Sequence, residues 1–431
     1  MRTSRRTFIK GTAAATLGAV APWAVRGETA DDRLPAWKPG ELELHFIYTG
    51  CGENMFYRLP DGTAILNDTG DAYRPKDVAY TPLLPSADRL GGEWVSRYLQ
   101  RVYDEKTIDY LIFSHWHDDH IGHAGFGRKS SKEMDYRYRT TADGRKIDGF
   151  LCVAEDFGFK RYFDHQYPAR GTYKTQGSCM KLVVPWVEEQ KRKGLVVEPF
   201  RVGALDQIAL LRDPVRYKGR FSIRNVCANG LLWNGADGAR DFAAETVAAT
   251  GDDTLPQNML SMGFVIQYGK FRFWTGGDIQ PSFLKKGFST KEGPVNFEAE
   301  VGRRIGPVTV CKTNHHGCSD AMCADFLRAV RARAYVSCVW SHWHVVRQTM
   351  ERMASRELHP DFDPVIIPNF MPTNRAGQFK DLPFMRNVPP ATHEGVHVVV
   401  KVAPGGDAYR IYLVDARDES MRVRASLDGR A

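Results

Sequence analysis

The sequence predicts an α/β protein in which two antiparallel-rich sheets are flanked by helices. Predicted strands come in runs with helical segments between them, and no Pro- or Gly-rich linker divides the chain after residue 30. Hydrophobic residues make up 43% and charged residues 26% of the 431 residues, as in ordinary globular proteins. No apolar run reaches the ~20 residues of a membrane-spanning helix. The sequence therefore excludes disordered, collagen-like and integral membrane proteins.

The predicted elements follow from hydrophobic periodicity, which differs between strands and helices. Strands are predicted at 42–48, 55–59, 63–66, 108–113, 221–227, 231–233, 261–268, 271–275, 308–312, 396–402 and 409–414. Helices are predicted at 87–103, 181–191, 321–329 and 345–353. Two polar or Gly-rich stretches, 129–146 and 235–257, are predicted to be loop insertions. Residues 31–431 are expected to form one domain.

The first thirty residues differ from the rest of the chain. SRRTFIK at residues 4–10 precedes a short Ala- and Gly-rich apolar run at 11–25, which resembles a twin-arginine export signal. The resemblance implies that residues 1–30 are removed, that the export machinery is a partner, and that the destination is periplasmic or extracellular. Of the net charge of +8, half lies in these residues, where five basic residues face one acidic residue. Residues 31–431 carry the other +4, which gives a nucleic-acid partner little support.

The cysteines and the basic loop leave alternatives open. An oxidising destination allows disulfides, but the spacing of the eight cysteines fixes no pairing. The basic stretch 128–146 is either a solvated loop or a patch for a polyanion. The aromatic residues Trp340, Trp343, Phe157, Phe163 and Tyr167 either wall a pocket or belong to the core.

The strongest chemical signal is HWHDDH at residues 115–120, directly after the predicted strand 108–113. An extended turn at a strand end aims alternate side chains the same way, so His115 and His117 can hold one cation. Asp119 and His120 can turn to a second ion nearby. Imidazole and carboxylate ligands suit zinc, manganese or iron. The spacing therefore predicts a metal site.

Four segments resemble the motifs of the metallo-β-lactamase superfamily. They are ILNDTG at 65–70, LIFSHWHDDHIG at 111–122, WTGGD at 274–278 and TNHHG at 313–317. The resemblance implies an αββα sandwich of two mixed, mainly antiparallel sheets, with two divalent ions, zinc first, at one edge. It also implies that Asp278 bridges the ions and that Asp68 supports the metal loop from behind.

Further details resemble the DNA-internalisation competence proteins and phosphocholine esterases within that superfamily. They are GCGE at 50–53, Asn258 with Ser261, the doubled histidine of TNHHG, and SHWH at 341–344. The superfamily's usual ligand position, beside the glycine of TNHHG, implies that His316 is a metal ligand and that His315 lies behind it or touches substrate. The likeness to the competence proteins and esterases also places His344 at the leaving group. His165 would be a further metal histidine, or else a surface residue beside an aromatic loop.

The sequence as a whole predicts an exported metal-dependent hydrolase that uses a metal-bound hydroxide on phosphodiester or related phosphoester bonds. Asp119 would orient the hydroxide, and His344 or His315 would protonate the leaving oxygen. Two alternatives stay open at this point. One is a lactone or β-lactam hydrolase, and the other is a non-catalytic extracytoplasmic metal-binding module. The substrate is expected to be a small molecule or a phosphodiester.

Overall fold

The structure, a computed structural model, describes residues 25–26, 32–72, 74–75, 81–123, 134–135, 137–165, 179–286, 289–290 and 296–431. The strands in chain order are β1 Val25–Arg26, β2 Leu42–Phe46, β3 Asn54–Arg58, β4 Ala64–Thr69, β5 Arg74–Pro75, β6 Thr107–Ile112, β7 Met134–Asp135, β8 Arg139–Thr140, β9 Lys146–Ile147, β10 Gly158–Asp164, β11 Val196–Pro199, β12 Phe221–Ala228, β13 Leu231–Trp233, β14 Ala239–Asp241, β15 Gly263–Tyr268, β16 Phe271–Thr275, β17 Lys285–Lys286, β18 Ser289–Thr290, β19 Val310–Lys312, β20 Ala334–Ser337, β21 Val365–Pro368, β22 Val396–Val402, β23 Ala408–Asp415 and β24 Val423–Arg430. The helices are α1 Gly91–Val102, α2 Asp118–Ile121, α3 Gly149–Asp156, α4 Met180–Arg192, α5 Phe242–Thr250, α6 Phe297–Ile305, α7 Ala324–Val330, α8 Arg347–Met353 and α9 Thr373–Phe379.

Two large mixed sheets form the centre of the fold. The first has the strand order β1-β24-β23-β22-β2-β3-β4-β6-β10-β11, and the second has the order β14-β13-β12-β15-β16-β19-β20-β21. Each sheet is antiparallel at one end and parallel at the other, where β4, β6, β10 and β11 pair in one sheet and β16, β19, β20 and β21 pair in the other. Antiparallel pairs predominate, as the sequence predicts.

Alternating side chains on the strands separate three apolar layers. Leu44, Tyr57 and Ile112 of the first sheet pack with Phe264 and Phe273 of the second, so the two sheets share one core. The opposite face of the first sheet packs on α1, α3 and α4. The opposite face of the second sheet packs on helices that include α6, α7 and α8. The predicted αββα sandwich is therefore confirmed.

The clearest departure from the sequence prediction lies at 235–257, which was expected to be a loop and instead contains β14 and α5. The Asp241 side chain accepts the Ala244 N–H and caps the helix start, and Gly251 ends the helix with a left-handed backbone. The Gly- and Asp-rich flanks of this Ala-rich segment conceal its helical centre.

Other departures are smaller. The predicted helix 87–103 begins only at Gly91, and the predicted pair 396–402 and 409–414 is followed by a third strand, β24. Residues 129–133 and 136 of the predicted insertion 129–146 lie outside the described residues, and the rest of it holds β7, β8 and the start of β9. Apart from Val25 and Arg26, the predicted export signal also lies outside them. In the parts of the chain that are described, no helix is both long and apolar enough to cross a membrane.

Candidate metal centre

The candidate site lies where the parallel strands of both sheets end. The motif at 115–120 follows β6, and His165 follows the adjacent parallel strand β10. From the second sheet, Asp278 follows β16 and His316 follows β19. Carboxyl ends of neighbouring parallel strands share one edge of a sheet, so the fold gathers segments that are far apart in sequence.

Asp68 fixes the loop that follows β6. Its Oδ1 accepts the Ser114 main-chain N–H at 2.6 Å, and its Oδ2 lies 3.0 Å from Nδ1 of His120. This contact puts the proton of His120 on Nδ1, so the lone pair on Nε2 faces the other ligands. The supporting role that the resemblance implies for Asp68 is therefore visible in its hydrogen bonds.

Asp119 is held in place through contacts to its main-chain carbonyl group. The Glu53 N–H donates to the Asp119 carbonyl oxygen at 2.7 Å. Gly70 lies so close to the same carbonyl group that a Cβ at this position would overlap it. The glycine of the segment 65–70 is therefore required because two chain segments touch here.

Four donor atoms from these segments converge at one point. Nε2 of His316 lies 3.0 Å from Oδ2 of Asp119 and 3.3 Å from Oδ2 of Asp278. Nε2 of His120 lies 3.5 Å and 3.2 Å from the same two oxygens. Ligands about 2.0–2.1 Å from a tetrahedral zinc ion lie roughly 3.3 Å from one another. The spacing and the chemistry of this donor set therefore fit a divalent ion.

The charges of this donor set also favour a cation. Burial would lower the pKa of His316, but Asp278 and Asp119 outweigh it and raise that pKa to about 9. The same carboxylates raise the pKa of the buried His120 well above its usual value. Burial alone would raise the pKa of Asp278, whereas His316 and His120 hold it well below its usual range. Either protons or a metal ion must balance the two carboxylates.

His316 is oriented by a carbonyl group of the next strand's loop. Its Nδ1 lies 2.9 Å from the carbonyl oxygen of Cys338 and donates to it, which leaves the Nε2 lone pair on the side of the carboxylates. His315 and His316 both have positive φ angles, 44° and 54°. This strained turn, uncommon for residues other than glycine, aims the two histidines in different directions.

His115 and His117 form a second group of donors beside the first. Nε2 of His115 lies 3.0 Å from Nδ1 of His117 and 3.9 Å from Oδ2 of Asp278. Burial lowers the pKa of His115 well below its usual value and lowers that of His117 to about 4. Both imidazoles are thus neutral, which is the form that binds metal. A second ion held by these two histidines and Asp278 stays a prediction.

A buried ion pair lies behind the donor atoms. Lys312 Nζ is 2.8 Å from Oε1 of Glu53 and donates to the carbonyl oxygen of Gly277 at 2.8 Å. Glu53, His120, Asp278 and His316 each offer an atom within 4.8 Å of the others. Glu53 nevertheless faces the Nδ1 atoms, at 4.0 Å from His120 and 3.4 Å from His316. Glu53 therefore lies on the Nδ1 side of the two imidazoles, whose Nε2 atoms face Oδ2 of Asp119 and Asp278. Sequence reasoning missed the ion pair of Lys312 and Glu53. The signal that could have indicated it is the position of a lysine at the end of a buried strand, β19.

The two histidines predicted to handle protons lie at the same site. Nδ1 of His315 is 2.7 Å from Oδ1 of Asp320, and its Nε2 is 3.9 Å from Oδ2 of Asp278. His344 is buried, and its ring stacks on His316 with centroids 4.6 Å apart. Nδ1 of His344 accepts the Trp340 main-chain N–H at 3.3 Å, so its proton is on Nε2. The catalytic roles of both histidines stay predictions.

His165 reaches the same sheet edge through other contacts. Its Nε2 lies 2.9 Å from the amide nitrogen of Gln257, and its ring packs edge-on against Trp116 with centroids 4.8 Å apart. The described contacts tie His165 to these neighbours, and its role as a metal ligand stays a prediction.

The structure answers the open question about disulfides. All eight cysteines are free thiols.

The aromatic residues that were expected to wall a pocket or to belong to the core have different positions. Phe157 and Phe163 belong to the core, Trp343 is 65% exposed, and Tyr167 lies outside the described residues. Trp340 is the aromatic residue of this group that touches the candidate centre, through its indole N–H and Oδ2 of Asp119 at 3.0 Å.

Comparison with known proteins gives one family match. A model of the metallo-beta-lactamase superfamily matches residues 49–161. This segment contains Asp68 and the motif at 115–120 but ends before Asp278 and His316. Among solved structures, the chain is similar to a candidate metal-dependent hydrolase from Parabacteroides distasonis ATCC 8503. The identity is 13% and the TM-score is 0.31, over 79% of this chain and 98% of that chain. No curated protein matches the chain.

Proposed function

We propose that this protein is a metal-dependent hydrolase of the metallo-β-lactamase superfamily. The observation that carries the proposal is the convergence of the Nε2 atoms of His120 and His316 with the Oδ2 atoms of Asp119 and Asp278, at 3.0–3.5 Å. His115 and His117 would complete a second position, with Asp278 shared between the two. Zinc suits this mixture of imidazole and carboxylate ligands, with manganese and iron as alternatives.

The bound ion and the protein would divide the chemistry between them. When bound, a divalent ion lowers the pKa of a coordinated water to about 7 and so supplies a nucleophile at neutral pH. The side chains contribute orientation and proton transfer. His344 holds its proton on Nε2 because Nδ1 accepts a main-chain N–H, and burial keeps its pKa well below the usual value, so the neutral ring would donate a hydrogen bond to a leaving oxygen. His315 faces Asp278 and is oriented by Asp320. Burial would lower its pKa, but these two carboxylates raise it, so His315 is the group proposed to protonate the leaving oxygen.

Phosphodiesters or related phosphoesters are the proposed substrates. The support is the doubled histidine of the segment 313–317 together with two imidazoles, His315 and His344, beside the metal ligands. Both rings can offer an N–H to a phosphoryl or leaving oxygen. Lactone or β-lactam hydrolysis requires the same nucleophile and is the competing reaction. The outcome of a substrate screen separates the two.

The test couples metal analysis with hydrolysis. The protein is purified without chelators, its metal content is measured by mass spectrometry, and turnover is measured on phosphodiester, phosphomonoester, phosphocholine-ester, lactone and β-lactam probes. We expect one or two divalent ions per chain and turnover on a phosphodiester. Asp119→Ala should lose nearly all turnover and remain folded. A protein that binds no added zinc, manganese or iron and hydrolyses none of the probes would overturn the proposal in favour of a non-catalytic module.

Export by the twin-arginine route is part of the same proposal and is supported by the segment SRRTFIK and the Ala- and Gly-rich apolar run that follows it at 11–25. The full chain is expressed in a bacterium that has this route, beside a variant with Arg5→Lys and Arg6→Lys. Arg26→Lys, outside the paired arginines, is the matched control. We expect the unaltered chain and the control outside the cytoplasm and the double variant inside. Equal distribution of all three would refute export by this route.

A further inference from the structure

We propose that Trp340 is a positioning residue of the candidate metal centre. It holds Asp119 with its indole N–H and His344 with its main-chain N–H. The inference rests on the proposed function, because Asp119 and His344 matter only if the centre binds metal and acts on a substrate. It goes beyond that function by assigning to one tryptophan the orientation of both a metal ligand and the hydrogen-bond donor His344.

The indole contact orients the Asp119 carboxylate. Nε1 of Trp340 donates to Oδ2 of Asp119 at 3.0 Å, and the same oxygen lies 3.0 Å from Nε2 of His316. A carboxylate that accepts a fixed N–H keeps one rotation of its terminal torsion, which is otherwise broad. The indole therefore selects the rotation in which Oδ2 faces His316 and His120. Partners of this kind behind metal ligands affect affinity strongly although they do not touch the ion.

The main-chain contact orients His344. Nδ1 of His344 accepts the Trp340 N–H at 3.3 Å, and the imidazole meets the indole edge-on with centroids 5.0 Å apart. The same ring stacks on His316 at an interplanar angle of 11°. The next residue, Val345, is fully buried and has a φ of 53°, a strained conformation for a β-branched side chain. The turn after β20 is thus built around these contacts.

Trp340 differs from an ordinary packing residue in that both of its N–H groups are used at the site. Trp343, three positions later in the same turn, shows the contrast because it is 65% exposed. The pair gives a matched experiment, since Trp→Phe at either position removes one indole N–H and the same number of atoms.

The experiment measures zinc affinity by competition with a chelating dye for the unaltered protein, Trp340→Phe and Trp343→Phe. We expect Trp340→Phe to weaken zinc binding about 10–100-fold and Trp343→Phe to change it less than about threefold. The thermal midpoint of each metal-free protein reports whether the fold is intact. Trp340→Tyr, which retains more of the ring volume, is measured in parallel in case Trp340→Phe is poorly folded.

A double-mutant cycle with Asp119→Asn separates positioning from packing. If the indole acts through the carboxylate, Trp340→Phe should weaken zinc binding much less in the Asp119→Asn background than in the unaltered protein. An equal loss in both backgrounds would overturn the inference, as would a folded Trp340 variant with unaltered affinity. If the unaltered protein binds no zinc, manganese or iron, the proposed function fails and this inference fails with it.

Discussion

Replacing Lys312 with methionine removes the charged partner of Glu53 at a place that water does not reach. Both residues have 0% exposed surface, and their charged atoms lie 2.8 Å apart. Lys312 Nζ also donates to the carbonyl oxygen of Gly277, next to Asp278. Methionine has nearly the same length as lysine and is apolar, so the change removes the charge and leaves the volume largely intact.

Removal of one partner from a buried ion pair costs about 3–5 kcal/mol, because the other charge is left without compensation. Glu53 can avoid part of this cost by taking up a proton, since burial already raises its pKa above the usual value. Loss of Lys312 would raise that pKa further. A carboxyl group whose pKa is higher in the folded than in the unfolded state destabilises the fold increasingly as the pH rises between the two values. The penalty should therefore be smaller at pH 5.5 than at pH 7.5.

Urea unfolding of the metal-free proteins, followed by circular dichroism, measures the effect. Lys312→Met should lower the free energy of unfolding by about 3–5 kcal/mol at pH 7.5. Adding Glu53→Gln to the same chain should recover most of the loss, because no charge is then left unpaired. A Lys312→Met protein within about 1 kcal/mol of the unaltered chain, well below the expected cost, would refute the reasoning. So would a double variant less stable than Lys312→Met alone.

Three further predictions concern the candidate centre and its supports. His316, with a pKa near 9 in the fold against 6.5 ordinarily, should stabilise the metal-free protein by about 3 kcal/mol below pH 6.5, and this stability should be lost as the pH rises through 9. Thermal midpoints should therefore fall between pH 7 and 9.5, and much less in His316→Asn. Gly70→Ala should lower the free energy of unfolding by about 1–3 kcal/mol, because its Cβ would overlap the Asp119 carbonyl group. Gly377→Ala, with open space around it, should leave that free energy unchanged or raise it, and urea unfolding measures both variants. His344→Ala should lower kcat about 100-fold or more with zinc affinity within threefold of the unaltered protein, and parallel losses in both would contradict its role as a hydrogen-bond donor to the leaving oxygen.

The layers of the fold were predictable because they depend on local patterns. The hairpin of β3 and β4 and the pair β15 and β16 lie within one or two residues of their predicted bounds at most ends, since alternating apolar residues and turn residues fix them locally. Strands such as β10, β20 and β21 were missed. β20 and β21 have four residues each, all buried, and lie in the parallel part of a sheet, where burial on both faces removes the alternation that marks a strand.

The candidate metal-binding residues were predictable by residue type. The supports, meaning the residues that contact and orient these ligands, were not. His316 and Asp119 are 197 positions apart in sequence, and only their segments' likeness to known motifs joined them. Lys312 and Glu53, or Trp340 and Asp119, lie in different segments with no shared pattern. Their contacts depend on the register between the two sheets, which no local periodicity specifies.

The supports hold the donor atoms through contacts that do not involve the ion. Asp68 fixes Ser114 and His120, and the Cys338 carbonyl group fixes His316. Lys312 fixes the loop before Asp278 through Gly277. Because each contact belongs to the protein alone, the ligands are oriented before a metal ion arrives, and the cost of ordering them is met during folding. Metal binding should then displace protons from His120 and His316 with little movement of the backbone. For the same reason, the loss of a support should weaken metal binding even where every ligand is still present.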